Sequence, residues 1–95
     1  MAPTMVQGKR LWGFDDSERG LLVEATTNLG ELRAVVERAE RTDQFGGMWL
    51  VQATARELDE MYSLVEALMG GTRSRKRLDL LEGMRASLCN SIDGY

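Results

Sequence analysis

Glu57, Asp59 and Glu60 come closest, by type and spacing, to a constellation that performs chemistry. Glu57 and Glu60 stand three apart, so on a helix their carboxylates share a face and can work as an acid–base pair or hold a hard cation. Arg56 precedes Glu60 by four residues, and Leu58 and Met61 mark the opposite, apolar side of the same helix, so the trio reads as a solvated, ion-paired face. Glu24, Asn28 and Glu31 form a second polar row, suited to ordering a partner's arginine or to keeping a surface wet. Cys89 follows the apolar Leu88 and has Arg85 as its basic neighbour, the setting of a half-buried, inert thiol.

The 95-residue chain contains no histidine. Serine–histidine and cysteine–histidine nucleophile pairs, zinc motifs and Glu-x-x-His di-iron helices are therefore excluded as sequence motifs. Gly46-Gly47 and Gly70-Gly71 are isolated pairs, without the spacing of a phosphate-cradling loop. On these residues the chain is not assigned as an enzyme: no catalytic residue, metal, cofactor or small-molecule substrate is expected.

Binding candidates stand out more clearly. Arg73, Arg75, Lys76 and Arg77 concentrate positive charge at the start of a helix, where it opposes the helix dipole and so hints at use. Phosphate, an acidic protein surface and plain solvent all suit such a run, but no aromatic residue flanks it to stack on bases. Trp12 and Phe14 lie in a stretch without helical period and must either cover the end of the domain or anchor a second chain. Phe45 and Trp49 flank Gly46-Gly47 and pose the same choice, and Tyr62 widens a helix face that needs a partner.

The elements that position these residues follow from two stripes, Leu22-Ala25-Leu29-Leu32-Val36-Ala39 and Val51-Leu58-Met61-Val65-Leu68, each at helical spacing and each followed by glycines. A third stripe, Leu78-Leu81-Met84-Leu88-Ile92, lies beyond Gly70-Gly71, with Thr72 or Ser74 as its cap. Asp15 and Glu18 have capping-box spacing and start the first helix. Gly30, inside the first stripe, is expected at a close helix crossing. The reading is an all-α domain over residues 15–95, an elongated antiparallel three-helix up-down-up bundle with helices over about residues 16–42, 48–69 and 74–92, preceded by a short N-terminal arm, residues 1–14.

Length and a 43% hydrophobic content suit one small core. A net charge of −3 weighs against general attraction to nucleic acid or anionic lipid. No apolar run is long enough to span a bilayer, residues 1–10 lack the order of a secretory signal, and one cysteine allows no internal disulfide, so a cytoplasmic protein away from membranes is expected. The functional expectation is a non-catalytic helical protein-interaction module, forming a homodimer and binding a protein partner through helix faces, with Trp12, Phe14, Phe45, Trp49 and Tyr62 as anchors and Arg73, Arg75, Lys76 and Arg77 setting charge complementarity. The alternative is a nucleic-acid-binding regulator that uses the basic cluster Arg73 to Arg77.

Overall fold

The first apolar stripe does not form one helix. In the structure, a computed structural model that describes residues 9–93, helix α1 (Asp16–Ala25) stops at a Thr-Thr-Asn run and helix α2 (Gly30–Arg38) starts afresh. Thr26 Oγ1 donates to the Leu22 carbonyl at 2.7 Å and Thr27 Oγ1 to the Val23 carbonyl at 3.2 Å. Such hydroxyls satisfy the last carbonyls of a helix locally and favour its ending. Arg33 reaches back from α2 to the Val23 carbonyl at 2.8 Å, which fixes the corner. Gly30 opens α2 with nothing packed where a Cβ would stand, so it marks no close crossing.

The segments on either side of these helices are strands. β1 (Lys9–Phe14), β2 (Glu40–Thr42) and β3 (Met48–Thr54) form one antiparallel sheet in the order β1-β3-β2. Trp12 and Phe14, two apart, pair across the ladder with Val51 and Trp49. Alternation is the strand period, and aromatic and β-branched residues suit it. Ala39 leaves α2 in extended conformation, and Gly46 and Gly47, at φ 77° and 92°, make the left-handed turn that brings β3 back beside β2.

Helix α3 (Ala55–Gly71) begins only after β3. Thr54 and Glu57 exchange side-chain and backbone hydrogen bonds of 2.9 and 3.1 Å in a capping box. That Thr-x-x-Glu signal lies inside the span read as continuous helix. A short turn leads to α4 (Arg75–Asp93), which carries the third stripe; Ser74 accepts from the Arg77 N–H at 3.3 Å. At α1 the Asp15–Glu18 capping box forms with bonds of 2.8 and 2.9 Å.

The fold is thus mixed, with four helices and a three-stranded sheet among the described residues, and the all-α three-helix bundle is overturned. The notion of such bundles merging into a larger helical bundle falls with it. The proposed arm divides: residues 1–8 lie outside the described residues, while Lys9–Phe14 is an integral edge strand. The core joins one sheet face, with Trp12, Phe14, Val51 and Ala53, to Leu22, Val35, Val36, Leu58, Met61, Val65, Leu81, Met84 and Leu88 of the four helices. Burial of these apolar side chains is the main favourable term in holding the two layers together.

Candidate functional site

The helices cover one face of the sheet, and the register defines what the other face carries. Lys9 stands opposite Thr54, Leu11 opposite Gln52, and Gly13 opposite Leu50, whose other neighbour is Glu40; Thr42 stands opposite Met48. These residues alternate with the buried Trp12, Phe14, Val51 and Ala53 and therefore point away from the core. Leu11 is 49% exposed, one of two large apolar side chains so placed among the described residues. Gly13 has a defined role beside it. A Cβ there would stand 2.9 Å from Leu50 Cδ2 and 3.4 Å from Met48 Cε, so the missing side chain lets both residues lie across β1. Leu11 and Leu50 of this apolar strip line an open depression of about 510 Å³.

The rim is polar. Arg38 donates to the Gln52 carbonyl at 3.1 Å, beyond the end of β2, and makes two bonds of 3.3 Å to Glu57. Arg41 forms a two-pronged pair with Asp16 at 3.2 and 3.3 Å and meets Asp43 at 3.0 Å. Lys9 and Glu40, at opposite corners of the face, have no ion-pair partner among the described residues. The edges of the sheet are managed differently. Along β1, Ser87 of α4 accepts from Trp12 Nε1 at 2.9 Å and Ser91, one turn on, donates to the Leu11 carbonyl at 3.0 Å. The second bond occupies a backbone carbonyl that an open edge would offer to another chain.

The aromatic candidates divide. Trp12 and Phe14 are 1% and 0% exposed, with ring centroids 4.8 Å apart, so they are core residues of the monomer and not surface anchors. Trp49 is half-buried and clamped: its Nε1 donates to Asp16 at 2.7 Å and the Arg19 guanidinium lies 4.1 Å from its ring centroid. Tyr62 is half-buried against the core, and the side chain of Phe45 lies outside the described residues.

The charged candidates disperse as well. Arg73, Arg75, Lys76 and Arg77 are exposed around the α3–α4 turn, with Arg77 3.6 Å from Glu24. That turn is one α3 length, about 25 Å, from the Thr54 end of the sheet. Glu24 and Glu31 fall on separate helices and Asn28 between them, so they form no single row. Glu57 is engaged by its cap, and the Thr54 N–H followed by Arg38 holds its carboxyl below the usual glutamate range. Glu60 pairs with Arg56 at 3.3 Å, and Asp59 is exposed. Arg56, Glu57 and Glu60, with Glu31, Arg38 and Lys9, border a second depression of about 590 Å³ that carries both charge signs. Cys89 is exposed rather than half-buried. Among the described residues no three carboxylate or thiol groups converge on a point that would hold a metal, and no helix is long and apolar enough to cross a membrane.

Leu11, Met48, Leu50, Lys9 and Glu40 are the residues that sequence reasoning passed over. Their signal is the alternation of Met48, Leu50 and Gln52 with Trp49, Val51 and Ala53, hidden by the apolar residues that also suit a helix. No family model matches this chain, and neither the curated proteins nor the solved structures contain a significant match to it.

Proposed function

We propose that this chain is a non-catalytic protein-interaction module that docks its partner on the open face of the sheet. The observation that carries the reading is Leu11, 49% exposed one outward row from Leu50 on a face that no helix covers among the described residues. Leaving that much leucine in water forgoes about 1 kcal/mol that a partner's apolar surface would recover. An apolar centre with a polar rim is the layout of protein interfaces. The rim suits protein better than phosphate, because Arg38 and Arg41 already face Glu57 and Asp16.

A photo-crosslinking residue, p-benzoylphenylalanine, in place of Leu11 tests the reading in cells, with the same residue at the exposed Asp79 as control. Position 11 should yield a discrete protein adduct that Leu50→Asp abolishes, and position 79 should not. Absence of any adduct at position 11 would overturn the reading.

A further inference from the structure

The strand register places charge and apolar side chains on the open face in a pattern that matches itself under a two-fold rotation. Lys9 lies on β1 at the first outward row, Gln52 on the central β3 at the second, and Glu40 on β2 at the third. With strands about 4.8 Å apart and outward rows about 6.8 Å apart, Lys9 and Glu40 are roughly 17 Å from each other and Gln52 marks the midpoint between them. Consider a two-fold axis in the plane of the face, through Gln52 and perpendicular to that diagonal. It sets Lys9 of one copy over Glu40 of the other and, reciprocally, Glu40 over Lys9. The same rotation brings Leu50 to within roughly 3 Å of the position opposite Leu11.

We propose that the occupant of the open face is a second copy of this chain, docked face to face about this axis. The proposal rests on the docking reading above and names its partner. Two features of the face converge on it. Its two charged corners, Lys9 and Glu40, carry opposite signs and have no ion-pair partner among the described residues. Its exposed leucine meets a leucine rather than a charge. The strands of the two sheets cross at about 70°, nearer the orthogonal than the aligned class of sheet packing. An isologous contact of this kind closes on itself, which blocks growth into a filament. The three strands offer far less than the ~800 Å² per partner of a standard interface, so the dimer is weak, with a dissociation constant on the order of 10–100 μM.

Sedimentation equilibrium of the full chain between about 10 μM and 1 mM should show mass rising from 10.6 kDa toward twice that value. Each single reversal, Lys9→Glu or Glu40→Lys, places like charges together at two symmetric contacts and should weaken the dimer roughly tenfold; the double reversal should restore it. Leu11→Asp should abolish it. A carbodiimide supplies the second measurement, because it joins amine and carboxylate only in direct contact and the two groups are too far apart within one chain. Mixed 14N- and 15N-labelled protein should give a Lys9–Glu40 cross-link that always joins two chains. A wild-type chain that stays monomeric, or a double reversal that folds and does not re-associate, would overturn the proposal. A position-11 adduct to a different protein in cells overturns the second copy and leaves the docking reading standing, whereas no adduct at all brings down both.

Discussion

The two faces of the sheet share the same strands and the same backbone bonds and differ only in which alternate residues they present. The inner face carries Trp12, Phe14, Val51 and Ala53, all at 3% exposure or less. The outer face carries Leu11, Gly13, Met48, Leu50 and Gln52, of which none is fully buried. The difference lies in what faces each. Four helices supply apolar surface to the inner side and even a hydroxyl, Ser87, for the one polar atom of Trp12. The outer side receives no comparable apolar cover from the described residues, only polar rim groups such as Arg38, and its apolar strip sits in that polar frame. A face that is apolar by necessity is one that folding completes, while a face that stays apolar and uncovered is one that association completes.

The largest effect should come from the inner face. Trp12→Ala removes the largest side chain of the core and should cost about 3–5 kcal/mol, a large fraction of a small domain's total stability, read as loss or collapse of the cooperative urea transition. Ser87→Ala is the subtler version of the same test. The hydroxyl accepts the indole N–H and donates to the Met84 carbonyl at 2.9 Å, so its loss leaves a buried donor unpaired. The cost should be roughly 1–3 kcal/mol by urea unfolding, with the dimer unaffected at concentrations where the chain is folded. A Ser87→Ala chain of wild-type stability would mean the inner face holds Trp12 by packing alone.

Trp49 sits where the inner face reaches the surface, and pH sharpens the comparison there. The Arg41 side chain first, then the Trp49 N–H, hold the Asp16 carboxyl below its ordinary value. A carboxyl lowered in the fold contributes stability that is fully present above its unfolded pKa and is lost as pH falls through the folded one. Glu57 has the same sign. Glu18 has the opposite one, since burial pushes its pKa up, so its contribution is greatest below the unfolded pKa and is lost as pH rises through the folded value. The urea midpoint of the wild type should therefore fall as pH drops from about 5 to about 3, and Asp16→Asn should flatten that slope. An unchanged slope would show that the clamp on Trp49 is not what the acid limb reports.

Legibility in the sequence followed the uniqueness of the local signal. The stripe Leu78 to Ile92 stands alone between glycines and has no competing period, and it is a helix throughout. Leu58, Met61 and Val65 are likewise buried on one helix face. The failure came where two periods coexist. Val51 lies seven residues before Leu58, which suits a heptad and equally a strand followed by a capped helix; the Thr54–Glu57 box decides between them. Thr26-Thr27-Asn28 is a run of weak helix formers, and it breaks the first stripe where the apolar spacing alone runs on unbroken. The outer face was invisible for a further reason. Its existence depends on β1 pairing with β3 across some forty residues, and non-local pairing is what single-sequence periodicity does not contain.

The smallest effect on stability separates the two faces most cleanly. Leu11 sits beside Trp12 on the same strand, and its carbonyl bond from Ser91 does not depend on its side chain. Leu11→Ser therefore leaves the backbone ladder and the inner face intact and removes a side chain already half in water. Its effect on unfolding of the monomer, measured by urea at low micromolar concentration, should stay within about 0.5 kcal/mol. At a hundredfold higher concentration the wild type should gain stability from self-association and the variant should not. If Leu11→Ser instead destabilises the dilute monomer by more than about 1 kcal/mol, Leu11 belongs to the fold and the outer face is a shallow extension of the core. Equal stability when dilute with divergence when concentrated would place the side chain's contribution outside the monomer, in the contact between chains.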